Sequence, residues 1–251
     1  MKMLRLALVA WMVPAAAAAE PALPQAGLVF RVSTGGLGGK LEPEVEILAD
    51  GTVRVGRKKA PARMPRIELE ALLGFVVGKG KFFAFDEKAV ANTIAGRQPG
   101  PMCGTGVTTT GVTVVTRTKR ATKRQMLLET HAAAHADVAG LIELRDIVRR
   151  LRLEGRLAQA GGRTCVEGWL KKANARLAKR HPKEPPLGIE TFRGFVHVPK
   201  GEIALRPQDD PALRDVHGRC AVFTRTAGIP QRIVGATVRA DGKATAVHVQ
   251  P

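Results

Sequence analysis

Val45-Glu46-Ile47-Leu48-Ala49-Asp50-Gly51-Thr52-Val53-Arg54-Val55 is the stretch whose reading decides the fold. Two runs alternate apolar and polar residues, the period of a strand with one buried face. Asp50-Gly51 between them is hairpin chemistry. The side chains then choose the register. A two-residue turn sets Ile47 against Arg54 and Glu46 against Val55. A three-residue loop, Ala49-Asp50-Gly51, sets Ile47 against Val53, Glu46 against Arg54 and Val45 against Val55. The second keeps one face apolar and places opposite charges side by side, so it is the register expected.

Working outward, Gly27 to Ser33 reads as a strand, and Thr34 to Gly39 as a flexible glycine-rich loop. Leu69, Leu72, Leu73 and Val76 repeat at helical spacing within Ile67–Val77. Phe82, Phe83 and Phe85 follow as a core plug. Asp86 has the chemistry of an N-cap for a short helix through Ile94, closed by Gly96. Residues 107–117 and 124–130 read as a second hairpin around a basic turn at 118–123. Val138 to Leu153 is the clearest helix, with Val138, Leu141, Leu144, Val148 and Leu151 on one face. Gly155 to Gly162 reads as a linker. Beyond it, residues 165–180 form an amphipathic helix stopped by His181, Pro182 and Pro185-Pro186. The remainder reads as an antiparallel meander, with strands near 194–199, 202–206, 219–227, 233–240 and 243–250. The fold class expected is α+β, in two small domains. Residues 20–154 and 163–251 each place antiparallel strands against one or two amphipathic helices.

The N-terminus has a different character. Lys2 and Arg5 precede an apolar run from Leu6 to Ala19, with Ala17 and Ala19 where a signal peptidase reads. This is the layout of a secretory signal over residues 1–19. The run is shorter than the roughly 20 apolar residues a membrane span needs, so no transmembrane anchor is expected after processing. The expected location is periplasmic or extracellular.

The chain of 251 residues has a formal net charge of +18; loss of Lys2 and Arg5 with the signal leaves +16. The charge is spread over both halves. It favours acidic partners such as envelope polymers, or else marks a solvated surface rich in Arg and Lys. Tyr is absent, and Trp169 is the one tryptophan beyond the signal. Stacking platforms for single-stranded nucleic acid are therefore not expected, and no specific nucleic-acid partner is implied.

Few residues offer chemistry. Ser33 is the one serine in the chain and lacks the Gly-x-Ser-x-Gly elbow of a hydrolase. Gly35 to Lys40 misses the phosphate-loop pattern, since Leu41 stands where Ser or Thr is required. His131 and His135 are four apart, a helical spacing suited to zinc, but Ala132 stands where a metalloprotease motif carries Glu. Glu42, Glu44 and Glu46 alternate along a strand, so all three are expected on one face, solvated and paired with Arg54. Three cysteines are an odd number in an exported chain. Cys165 and Cys220 are placed to bridge helix and sheet, leaving Cys103 free; burial of all three as thiols is the competing reading. No cofactor is implied.

The order of elements over residues 27–153, with Ser33, Gly35, Gly36, Asp50, Gly51, Phe82 and Phe83 as its carriers, resembles the emfourin-like proteins. Their known representative inhibits thermolysin-type metallopeptidases. The resemblance is also to exported bacterial proteins that place such a module before a second α+β module. It implies a protein partner, with a secreted metallopeptidase as the candidate class, and no catalysis. Fold likeness alone does not carry activity. The function expected is a non-catalytic exported binding protein whose contact loop is Ser33, Thr34, Gly35, Gly36, Leu37, Gly38 and Gly39, where backbone can approach a partner closely. The alternatives are a basic envelope protein that binds acidic polymers, and a metal-dependent enzyme using His131 and His135.

Overall fold

The computed structural model describes residues 21–36, 39–56, 61–97, 107–198, 217–227, 232–242 and 245–249. The signal expected over 1–19, Leu37 and Gly38, Cys103, and the strand expected at 202–206 lie outside the described residues. Among the described residues no helix is long and apolar enough to cross a membrane.

The chain is α+β, with two antiparallel sheets. The first sheet contains β1 (Leu28–Gly36), β2 (Glu42–Leu48), β3 (Thr52–Val55), β4 (Ala62–Arg63), β5 (Thr108–Val115) and β6 (Arg120–Met126). Its order is β4-β3-β2-β1-β5-β6. The β2–β3 hairpin has the expected register: Val45 faces Val55, Glu46 faces Arg54 and Ile47 faces Val53. Asp50 closes the turn by accepting from the backbone N–H and the hydroxyl of Thr52, each at 2.9 Å.

Helices α1 (Arg66–Gly74), α2 (Glu87–Ala95), α3 (Leu128–Ala134) and the first part of α4 (Ala139–Gln159) share a core with this sheet. Leu69, Leu72 and Leu73 of α1 are buried, and the helix continues as a π-helical turn over Phe75–Lys79. Asp86 caps α2 as its chemistry demands, accepting from the N–H groups of Lys88 and Ala89. Phe82 and Phe85 fill the same core, whose sheet face is Phe30, Val32, Val45, Ile47, Val53, Val112 and Val114.

The second sheet has the order β10-β9-β8-β7, built from β7 (Phe192–Val198), β8 (Gly218–Ala227), β9 (Arg232–Arg239) and β10 (Thr245–Val249). Helix α5 (Arg163–Arg180) lays Val166, Ala173 and Leu177 on it, against Phe192, Ala221, Phe223, Val234, Ala236, Val238 and Val247.

Four expectations need correction. The β5–β6 turn is tight: Thr116 accepts from the Lys119 N–H at 2.9 Å, so β6 starts at Arg120, inside the expected basic turn. The strand expected through Thr130 ends at Met126, because Leu127 takes a left-handed backbone (φ 47°) and Leu128, His131 and Ala132 then form the buried side of α3. The linker expected at 155–162 is helical over 155–159, as the last turns of α4. Leu141 to Leu151 of that helix belong to the first core, and Leu153, Leu157 and Ala160 to the second. Gly155 is a packing residue: a Cβ there would lie 3.0 Å from Val55 and 3.1 Å from Val45, so its absence lets α4 approach β2 and β3. The three glutamates of β2, finally, do not share one face. The β1–β2 ladder runs from Val32 opposite Val45 to Ser33 opposite Pro43, stepping over Glu44. Such a bulge re-aims a side chain. Glu46 pairs with Arg31 in the sheet at 2.7 Å, whereas Glu44 reaches Arg152 on α4 at 2.8 Å.

Candidate anion-binding cleft

The two sheets meet at the C-terminal half of α4 and leave a cleft of about 800 Å³. Its floor is Arg152, Arg156 and Gln159 of α4. One wall is Glu44, Val45 and Val55 with Pro61 and Ala62; the other is Arg193, Gly194 and Phe195 of β7 with Arg219 of β8. The spacing of 152, 156 and 159 puts those three side chains on one side of a helix. Nearer the start of α4 the same side and its flank carry Leu141, Leu144, Val148 and Leu151, which are buried in the first core. A register shift in the β7–β8 ladder between Phe192 and Gly194 turns the chain beneath Arg156.

Among the described residues that line the cleft, four guanidinium groups therefore face one carboxylate. Arg152 donates to Glu44 at 2.8 Å, and Glu44 also accepts from the Thr34 hydroxyl at 2.9 Å. Arg219 stacks over the Phe195 ring, 3.9 Å from its centroid, a cation–π geometry. Phe195 is held edge-on by Trp169 of α5 at 5.4 Å. Arg193 donates through Nε to the Thr224 hydroxyl at 3.0 Å. Arg156 has no ion pair among the described residues, and its Nε and the Nε2 of Gln159 are buried without a hydrogen-bond partner. Burial, with the charges of Arg193 and Arg152 beside it, pushes the Arg156 pKa below its ordinary value. A guanidinium nevertheless stays charged at physiological pH, so the cleft holds a real excess of positive charge.

The residues singled out from the sequence lie elsewhere. Ser33 is strand, and Thr34, Gly35 and Gly36, expected as loop, continue it: the four pair with Gly111, Thr110, Thr109 and Thr108 of β5. The Thr-rich β5 extends the ladder through the glycines. A Cβ on Gly35 would stand 2.9 Å from the Lys40 carbonyl oxygen, so that glycine serves the close return of the chain. Gly39 donates to the Gly36 carbonyl at 3.0 Å in the turn that follows.

His131 and His135 do come together on and just beyond α3, with ring centroids 6.2 Å apart. His131 is buried and its Nδ1 lies 3.2 Å from the Gln125 side-chain amide. Both Nε2 atoms are buried and unpartnered. Burial and the neighbouring His135 push the His131 pKa down, against a backbone hydrogen bond at Met126 that raises it. Among the described residues no group of three or more His, Cys, Asp or Glu is placed to hold a metal ion.

The expected Cys165–Cys220 bridge is absent, and both residues are free thiols. The reason is facial. Ala221 and Phe223 of β8 face α5, so Cys220, the residue before Ala221, points to the other side of the sheet. Cys165 is exposed at the start of α5, one residue before the inward Val166. Burial pushes the Cys220 thiol pKa up.

The cleft arginines escape sequence reasoning for a related cause. Arg152 reads as the solvated side of an amphipathic helix and Arg156 as part of a linker, and nothing local brings Arg193 and Arg219 to them. Searched against protein-family models, curated proteins and solved structures, the chain finds no significant match.

Proposed function

We propose that the protein is an exported, non-catalytic binding protein that takes an acidic polymer into the cleft between its two sheets. The observation that carries this reading is the convergence of Arg152, Arg156, Arg193 and Arg219 on one cavity, with Glu44 as the one carboxylate among the described residues that line it. A concave, partly desolvated cluster of one sign focuses its field and raises the local concentration of oppositely charged ligand. The surplus of basic residues over the whole chain adds longer-range attraction. The alternative, a peptidase-inhibitor role for residues 27–153 through Ser33–Gly39, would use a segment whose first four residues pair with β5.

Retention on a carboxylated or sulfated matrix, eluted with a salt gradient, tests the proposal. Reversing Arg156 and Arg193 to Glu should move elution to much lower salt than reversing the exposed Lys88 and Lys179, a control of equal charge change. Equal shifts for the two double variants would mean that attraction is spread over the surface, and the cleft reading would fall.

A further inference from the structure

We infer that Arg156 and Gln159 of α4, with Arg193 of β7, form a subsite for a phosphate group carried by the acidic ligand. The inference rests on the cleft reading above and names the ligand chemistry.

Among the described residues, the unpartnered buried side-chain atoms in the cleft are all of one kind. Arg156 Nε and Gln159 Nε2 are both N–H donors. A buried donor without an acceptor is costly, and a turn of either side chain toward the cleft it lines would offer that donor to a ligand oxygen. The other two guanidiniums already have partners, Arg152 in Glu44 and Arg219 in the Phe195 ring. Arg193 uses Nε on Thr224 and has no counter-ion among the described residues. Arg156 and Arg193 are thus the cations left uncompensated, and each raises the electrostatic cost of the other. An anion placed between them removes that repulsion. Glu44 stands with Arg152 and repels an anion from that end, which biases the seat toward Arg156 and Gln159.

The direction of approach favours a tetrahedral oxyanion. Arg156 and Gln159 stand on the helix and Arg193 on a strand, so their donors come to the cleft from two different elements. A planar carboxylate meets one guanidinium fork in its own plane, whereas phosphate presents acceptor oxygens in three dimensions. The cavity of about 800 Å³ far exceeds an inorganic phosphate ion. The phosphate is therefore one group on a larger molecule, in line with a polymer ligand.

Isothermal titration of the purified protein at fixed ionic strength, with inorganic tripolyphosphate, inorganic phosphate and citrate as probes, tests the inference. Tripolyphosphate should bind one to one, and at least about tenfold more tightly than either citrate or phosphate, given the strength of charge-assisted bonds. Arg156→Gln and Arg193→Gln should each weaken it by a similar factor, and Gln159→Leu by less, while Lys88→Gln changes nothing. Because Arg156 has no counter-ion among the described residues, Arg156→Gln should keep or raise the melting temperature, which separates lost binding from lost folding. Citrate binding as tightly as tripolyphosphate would overturn the phosphate assignment and leave the acidic-polymer reading standing. Unchanged tripolyphosphate affinity in Arg156→Gln would overturn the subsite. Equal affinity for phosphate and tripolyphosphate would overturn the larger carrier. Loss of matrix retention selectivity together with tripolyphosphate binding would remove both the subsite and the reading it rests on.

Discussion

Arg163, the first residue of α5, donates to Glu154 of α4 at 2.6 Å, and the Glu154 side chain is 5% exposed. Arg150, one helical turn before Glu154, reaches the same carboxylate oxygen at 2.8 Å. One buried anion thus holds two cations at the joint where α4 hands the chain to α5. Glu154→Ala should lower stability by about 2 kcal/mol. That is below the usual penalty for breaking a buried ion pair, since both arginines retain contact with water. Urea unfolding of the variant beside wild type measures it; a midpoint unchanged within error would make the ion pairs dispensable.

Gly155→Val should also destabilise, by about 2 kcal/mol, although helix propensity alone predicts a gain. The added side chain meets Val45 and Val55 across a gap that closes to 3.0 Å at Cβ. Thermal melting decides the sign. A rise in melting temperature would show that α4 can move off β2 and β3 freely.

Cysteine reactivity should divide sharply. Native protein treated with iodoacetamide should be labelled at Cys165, which is exposed, and not at Cys220, which is buried with a raised thiol pKa. Peptide mapping after labelling in denaturant should then find Cys220 modified as well. A Cys165–Cys220 peptide pair under non-reducing conditions would contradict the facial argument.

Acid should weaken the first core through His131. Its folded pKa lies below the ordinary value near 6.5, so the unfolded chain binds more protons once pH drops to that value. The stability tied to neutral His131 is fully present above about pH 6.5 and is lost as pH falls through the folded pKa. Melting temperatures from pH 7.5 to 5 should fall less steeply in His131→Gln than in wild type. Parallel slopes would assign the acid sensitivity to other groups.

The elements legible in the sequence are those whose determinants are local. Ala49-Asp50-Gly51 and the alternation around it specify the β2–β3 register, and Asp86 with Gly96 brackets α2. What was not legible depends on residues far apart in the chain. Thr108–Thr110 carry β1 through glycines that look like a loop in isolation. Val45 and Val55 make a packing residue of Gly155, which otherwise reads as a break. The cleft is the extreme case. Residues 44, 156, 193 and 219 come from strands and helices of both halves, and each alone is an ordinary charged side chain. The excess of basic over acidic residues is legible as bulk composition, whereas the gathering of four arginines in one cleft belongs to tertiary structure.

Helix α4 carries apolar side chains for two cores that are completed at different times during synthesis. Leu141 to Leu151 can settle on the first sheet as soon as the helix has left the ribosome, since every strand of that sheet precedes it. Leu153, Leu157 and Ala160 have no sheet to meet until β7–β10 are made. The growing chain therefore passes through a stage in which a folded N-terminal half displays a sticky helical end. In that interval the molecule is most exposed to aggregation and most in need of a chaperone.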